Sequence, residues 1–350
     1  MIDDATFWAR QFATRAAPVS ATLFGSGHVN QTYLVVDEAG WRYVLQRLNT
    51  SVFRRPDHVM DNIVKVTAAL ARASNDPRRH LSLVPAKSGE WWLGGDQCWR
   101  MYEFIEGSRE LTPPVTPDEF AAVGAAFGEF LVAMSVIPAS QIHVTIPHFH
   151  DEPRYFRHLK QALAADPLGR AKDVASEIER ALSFEQMGHY FDNTEMPLRV
   201  THNDAKLSNV LFDASTHQPL CVVDLDTVQP GLAVNDFGDA IRSGATCALE
   251  DEPDLSLVHF DIGLFTAFTR GYLGACGQVL EACELANLRQ GALLMTLETT
   301  LRFLIDYIEG DVYYHTSYAT HNRDRARNQL ALLEDMKSNW QSMADAIEAC

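Results

Sequence analysis

Ten residues, Val200-Thr-His-Asn-Asp-Ala-Lys-Leu-Ser-Asn209, place His202, Asp204 and Asn209 in the spacing H-x-D-x-x-x-x-N. An apolar run from Leu220 to Val223 then delivers Asp224, twenty residues beyond Asp204. Together these features constrain the fold. A loop bearing two oxygen-rich side chains must be met by a strand that ends in a carboxylate. The spacing is that of a phosphotransfer loop, in which the Asp takes the acceptor hydroxyl's proton and the Asn holds magnesium.

Asp204 is the expected base, because a hydroxyl attacks poorly until its proton has somewhere to go. Asn209 offers a neutral amide oxygen and Asp224 a charged carboxylate. Magnesium favours such a set of few, hard protein oxygens and takes its remaining ligands from phosphate and water. His202 is expected to pack beneath the loop rather than to react. Asp236-Phe-Gly238 spells D-F-G, but it lies 32 residues after Asp204. Asp224 therefore takes the metal role, and Asp236 is expected to bond the catalytic loop, with Asp239 and Arg242 nearby.

Upstream, Ala21 to Phe24, Thr32 to Val36 and Arg42 to Leu48 alternate or run apolar around Gly and Asp, which predicts strands. Asp37-Glu-Ala-Gly40 reads as a hairpin turn. Pro56 to Ala73 is a helix with Val59, Ile63, Val66 and Leu70 on one face. Three more strands are expected at 81–86, 90–93 and 98–105. Past Glu106-Gly107 and a proline-rich stretch, Thr116-Pro117 with Glu119 forms a capping box. Helices then dominate, over about 117–137, 152–165, 173–191, 256–274, 282–309 and 323–348, interrupted by a strand-rich insert at 198–224 that holds the loop. The expected architecture is α+β. A small antiparallel-sheet lobe (1–104) joins a larger, mostly helical lobe (108–350) through a hinge at about 102–107.

Gly25-Ser26-Gly27-His28-Val29-Asn30 sits between two strands, where glycines let backbone approach phosphates. A phosphate-binding lysine would be expected on the strand Tyr43-Val44-Leu45-Gln46-Arg47, but Gln46 stands there, on the same face as Val44. Gln46 brings hydrogen bonds and no charge, so magnesium or another cationic group must carry more of the load. Asp61 and Asn62 are the candidates for the helix residue that would pair with such a lysine.

Net charge is −17 over 350 residues, which argues against nucleic acid or anionic membrane as partners, since both need basic patches. Six scattered cysteines without a C-x-x-C pair read as free buried thiols in a reducing cytoplasm. The acidic N-terminus has no apolar signal core, and no membrane span is expected.

These motifs resemble the aminoglycoside phosphotransferase and choline kinase-like family. The resemblance rests on Gly25–Asn30, His202-Asn-Asp204 with Asn209, Val223-Asp224-Leu-Asp226, and Asn235-Asp-Phe-Gly-Asp-Ala-Ile-Arg242. Within it, Leu45-Gln-Arg-Leu-Asn49, Thr201-His-Asn-Asp-Ala-Lys206 and Asp224-Leu-Asp-Thr227 are most similar to the N-acetylhexosamine 1-kinases, a subgroup to which Gln in place of the strand lysine also belongs. The resemblance implies ATP and Mg2+ as cofactors, a bilobal protein kinase-like fold and a neutral sugar as substrate, phosphorylated on its anomeric hydroxyl. It implies a nucleotide site of Gly25, Ser26, Gly27, Asn30, Val44 and Gln46, with the adenine against Glu103 and Ile105. His28, Asp226, Arg302 and Tyr313 are the candidates for the sugar, with Asp306 and Tyr314 close by. A monomer or weak homodimer is expected. Two other readings stand beside this one: a kinase of an aminoglycoside, choline or other amino alcohol, and a non-catalytic nucleotide-binding regulator.

Overall fold

The alternating N-terminal runs pair around the Asp37–Gly40 turn in the computed structural model, which describes residues 2–25, 29–95, 97–191 and 194–350. A short helix, α1 (Ile2–Ala9), precedes β1 (Pro18–Leu23), β2 (Gln31–Asp37) and β3 (Arg42–Arg47). At the turn the Asp37 N–H donates to the Trp41 carbonyl at 3.0 Å, and Gly40 takes φ 84°, a left-handed conformation that suits a residue without Cβ. After α2 (Pro56–Ala73), β4 (Trp99–Glu103) completes an antiparallel sheet of order β1-β2-β3-β4. The expected strands at 81–86 and 90–93 are only isolated bridges: Leu83 to Tyr102, Ala86 to Phe12 and Leu93 to Trp99. Pro85, which has no N–H to give a ladder, sits where the first of them would have to continue.

The sheet and α2 serve different cores. One face of the sheet packs with α1 around Phe12, Tyr33, Tyr43, Leu45 and Trp99. The apolar stripe of α2 (Val59, Ile63, Val66 and Leu70) is buried as read from its spacing, but it joins the core of the helical part. The helix thus reaches from the sheet toward the catalytic region.

The C-terminal part runs β5 (Ser108–Arg109), α3 (Pro117–Met134), α4 (Glu152–Ala165), α5 (Ala175–Leu182), α6 (Glu185–Gly188), β6 (Arg199–Thr201), β7 (Val210–Asp213), β8 (Pro219–Val222), β9 (Gln229–Gly231) and α7 (Ala233–Gly244). It ends with α8 (Ile262–Cys276), α9 (Ala282–Glu309), α10 (His321–Ser338) and α11 (Trp340–Glu348). The capping box forms: Thr116 Oγ1 accepts from the Glu119 N–H at 3.2 Å and Glu119 answers at 3.1 Å. The fold is therefore α+β, an N-terminal antiparallel sheet followed by a helical region.

Three expected helices differ in detail. Residues 173–191 break around Ser183-Phe184, and 323–348 breaks at Asn339. The helix expected from 256 starts at Ile262, where the Asp261 carboxylate accepts from the Gly263 and Leu264 N–H groups at 2.8 and 3.0 Å and so fixes the start. Helix α7 was not among the expected helices. It is buried nearly all round, its polar residues Asn235, Asp236, Asp239 and Arg242 included. Its Gly238 crosses α9 at Gly291: a Cβ on Gly238 would stand 2.3 Å from the Gly291 carbonyl oxygen, and one on Gly291 2.1 Å from that of Val234. The glycine of D-F-G is therefore a helix-crossing residue. All six cysteines are free, but only Cys98, Cys221 and Cys276 are buried, so the expectation of buried thiols holds for half of them. No helix among the described residues is long and apolar enough to cross a membrane.

Candidate active site

Strand β6 ends at Thr201, and the chain turns sharply at Asn203, whose φ of 62° lies in the left-handed region. Asparagine tolerates this conformation when its side chain bonds locally. Here the Asn203 amide donates to the carbonyls of Thr201, Thr227 and Gln229 at 3.0–3.2 Å, and Thr201 Oγ1 donates to it at 3.0 Å. The N–H groups of His202 and Asn203 both donate to the Asp236 carboxylate, each at 2.7 Å. Burial pushes the Asp236 carboxyl above its ordinary range, opposed by His202 and by those two hydrogen bonds. Asp236 thus clamps the loop from α7, the place its spacing suggested.

His202 is fully buried against Phe127 and Phe130. Its Nδ1 accepts from the Asp204 N–H at 3.3 Å, and its Nε2 lies 2.8 Å from the Val223 carbonyl. The pattern assigns a proton to Nε2. His202 therefore joins the loop to the residue before Asp224 and holds both in place.

Asp204 emerges from this frame half-buried. Its Oδ2 accepts from Lys206 Nζ at 2.8 Å and from Asn209 Nδ2 at 2.9 Å. Burial alone would raise its carboxyl, but Lys206, His202 and Asn209 outweigh that and bring it down to about 2. Asp204 is consequently ionised at neutral pH and able to accept a proton. In the loose transition state of phosphoryl transfer the base orients more than it deprotonates, so low basicity is no bar.

Asn209 also donates to the Asp204 carbonyl at 2.7 Å, which turns its Oδ1 away from that donor side. Its own carbonyl accepts from the Val223 N–H at 2.9 Å, and Val210 pairs with Val222 across the β7–β8 hairpin. The hairpin register therefore sets Asn209 beside Asp224. Asp224 takes φ 60°, and its side chain is exposed. Protein walls around the group push its carboxyl up to about 6, helped by the charges of Asp226 and Asp204 and opposed by Lys206. A carboxylate so crowded by other acids, beside a free amide oxygen, suits a divalent cation. No cluster of three or more His, Cys, Asp or Glu with ligating geometry occurs among the described residues, and a two-residue magnesium site needs none.

The nucleotide-side candidates are distributed as follows. Ser26, Gly27 and His28 lie outside the described residues, and Gly25 has φ 79°. Val44 and Gln46 lie on β3 opposite Tyr102 and Arg100 of β4. Gln46 is engaged: Oε1 accepts from Arg100 Nε and Nη2 at 3.0 and 2.7 Å, and Nε2 donates to Thr32 Oγ1 at 3.1 Å. Asn30 Oδ1 accepts from the Asn49 N–H at 2.9 Å, and its amide donates to Asp226. At the hinge the Glu103 N–H turns to the Ser82 carbonyl at 2.9 Å, while the Ile105 carbonyl accepts from Ser108 Oγ at 2.7 Å.

Several expectations need correction. Asp226 does not face an acceptor: it is buried, ion-paired with Arg100 and capped by Asn30. Its position directly after the metal-loop turn sends it inward to the sheet. Asp306 is likewise internal, accepting from the N–H groups of Val312, Tyr313 and Tyr314 at 2.8–2.9 Å to hold the turn after α9. Neither helix candidate pairs with the lysine position. Asp61 binds Lys65 and His143, and Asn62 donates to the carbonyls of His143 and Val228.

Arg302, its side chain 21% exposed, lies in a recess of aromatic and charged side chains. Its guanidinium carbon lies 5.5 Å from the ring centres of Phe149 and Tyr314 and 5.7 Å from that of Tyr313. One turn back on α9, the buried Glu298 pairs with Arg302 at 3.6 Å and with His150 at 3.0 Å. Burial lowers the His150 imidazole, but Glu298 reverses that and leaves it raised. Glu152, buried and facing Glu298, is pushed up to about 8. Sequence reasoning missed Lys206, Arg100 and the His150–Glu298 pair. Lys206 was visible in the motif itself; the other two depend on strand register and on contacts between distant segments. A cavity of about 250 Å³ opens beside Lys206 and reaches Arg242 and Glu250.

Comparisons with known proteins find the same fold elsewhere. A microcompartment-associated aminopropanol kinase is similar at 20% identity over 98% of both chains, with a TM-score of 0.69. An aminoglycoside phosphotransferase from Alicyclobacillus acidocaldarius is similar at 13% identity over 98% of this chain and 96% of that one, with a TM-score of 0.63. An ethanolamine kinase from Plasmodium vivax is similar at 12% identity over 89% and 82%, with a TM-score of 0.53. Identities this low establish a shared fold. The model of the phosphotransferase enzyme family matches residues 20–267, most of the chain and all of the catalytic loop, and on that ground the chain belongs to the phosphotransferase enzyme family.

Proposed function

We propose that this phosphotransferase moves the γ-phosphoryl group of ATP to the anomeric hydroxyl of an N-acetylhexosamine. Asp204 accepts the hydroxyl proton as the sugar oxygen bonds to phosphorus and the bond to the β-phosphate oxygen breaks, releasing ADP. Lys206, held against Asp204, places a second charge where the transferring group gains electron density. Asn209 and Asp224 would hold Mg2+, which neutralises phosphate oxygens when bound. An anomeric hydroxyl is more acidic than an ordinary alcohol, which suits a carboxylate base of low basicity.

One observation favours a neutral sugar over an amino alcohol. An aromatic cage for a cationic acceptor needs rings free to receive the charge. The rings of Phe149, Tyr313 and Tyr314 already surround the guanidinium of Arg302, so the cage holds a cation of its own. Arg302 and the exposed ring of Tyr313 instead offer donors for hydroxyls and an apolar surface for a sugar ring.

The second reading is an amino-alcohol kinase. It draws on the names of the similar aminopropanol and ethanolamine kinases and on the acids Glu152 and Glu298. An ATP-consumption screen over N-acetylhexosamines, plain hexoses, aminoglycosides, choline and aminopropanol separates the two. Phosphorus NMR of the product should show coupling to the anomeric proton; turnover only with amines would sink the sugar assignment.

A further inference from the structure

We propose that Arg100, one strand away from the usual position, supplies the cation that the strand lysine would bring, and that it positions Asn30 and the metal-binding turn through Asp226. The inference rests on the reading that the cleft binds Mg-ATP. Its starting point is register: Gln46 of β3 lies directly opposite Arg100 of β4. A lysine at 46 would set two cations face to face across an antiparallel pair, which is unfavourable. Glutamine resolves the conflict. Its carbonyl oxygen accepts from two guanidinium nitrogens of Arg100 and its amide donates to Thr32. Gln46 is thus fitted to orient the arginine, and the charge has moved one strand along the floor of the cleft.

The third guanidinium nitrogen, Nη1, pairs with Asp226, two residues after Asp224. Both side chains are almost wholly enclosed, 1% and 3% exposed. The other oxygen of Asp226 receives the Asn30 amide at the end of the Gly25–Asn30 segment. Sheet floor, metal-binding turn and Asn30 therefore meet at one carboxylate. In protein kinases a lysine–glutamate pair between strand and helix makes the comparable link. Here the helix residues at that place, Asp61 and Asn62, are turned to Lys65, His143 and Val228. The Tyr102 hydroxyl, also enclosed and two residues along β4 from Arg100, has no hydrogen-bond partner. It leaves polar capacity on the same strand face.

The test compares Mg-ATP with adenosine, which has no phosphate, by calorimetric titration of the full chain without any acceptor. Arg100→Met should weaken Mg-ATP about tenfold or more while adenosine changes less than about twofold, because Asn30 and the metal-binding turn lose their buried anchor. Adding Gln46→Lys to Arg100→Met returns a cation to β3 and should recover most of the lost Mg-ATP affinity. Equal losses for both ligands, no loss for either, or no recovery in the double variant would each overturn the proposal. If Arg100→Met does not fold, Arg100→Met with Asp226→Asn removes the stranded carboxylate, and the same split between Mg-ATP and adenosine decides. A wild-type chain that binds neither ligand refutes the nucleotide reading itself, a result distinct from failure of the Arg100 assignment.

Discussion

The catalytic loop and the recess around Arg302 are both buried in the helical part, yet they treat their polar atoms in opposite ways. In the loop, the N–H groups of His202 and Asn203, the Asn203 amide and both nitrogens of His202 all have partners. In the recess, His150 Nε2 and Glu298 Oε1 are enclosed without a hydrogen-bond partner, and Glu152 holds its proton up to about pH 8, being buried beside the Glu298 carboxylate. The first region is satisfied and rigid before any substrate arrives. The second leaves enclosed polar atoms unmet, which costs stability.

The sharpest way to break this contrast is Asp204→Asn. Turnover should fall by about 10²–10⁴-fold, the usual share of a general base, with Mg-ATP affinity nearly unchanged. Rapid-quench kinetics beside calorimetry measure both, and near-normal turnover would remove Asp204 from the chemistry. Asp236→Ala comes next. It strands two enclosed N–H groups and should cost about 3 kcal/mol of stability, with a clear drop in Tm, since each unmet group costs about 1–3 kcal/mol. A loop indifferent to that loss would not be the preorganised element described.

On the recess side, Arg302→Met should raise the acceptor KM about tenfold, one charge-assisted contact, and leave the ATP dissociation constant alone. Steady-state titration of each substrate in turn checks it, and an effect on ATP alone would dissolve the division into two sides. The smallest effect concerns pH. The Glu152 carboxyl sits at about 8 in the folded chain against an ordinary 4.5, so the native state keeps a proton that the unfolded chain gives up. Its contribution is fully present below pH 4.5 and is lost as pH rises through about 8, so wild-type stability should decline across that window. The raised His150 acts in the same direction. Urea titrations should show a shallower decline for Glu152→Gln; identical slopes would mean the two acids do not confront each other.

How far the sequence foretold this can be judged residue by residue. Helix α2 and the capping box at Thr116 were readable because both depend on local spacing and local hydrogen bonds. Helix α7 escaped although its spacing is amphipathic, because its polar residues, Asp236 and Arg242 among them, read as loop and site groups rather than as one buried helix face. For the site, the meeting of Asp204, Asn209 and Asp224 was legible, since the hairpin between β7 and β8 encodes it locally. Asp226 was misread toward the acceptor because its partner, Arg100, lies 126 positions earlier and meets it only after the sheet has docked. The departure at Gln46 was visible, but its compensation lay in strand pairing, which one chain read in order does not display.

The glycine crossing of α7 over α9 has a mechanical consequence. Helix α7 carries Asp236, which grips the catalytic loop, and α9 carries Glu298 and Arg302. With Gly238 and Gly291 in backbone contact, the two helices form a single anvil. The loop of Asp204 and the surroundings of Arg302 cannot shift apart without parting those helices.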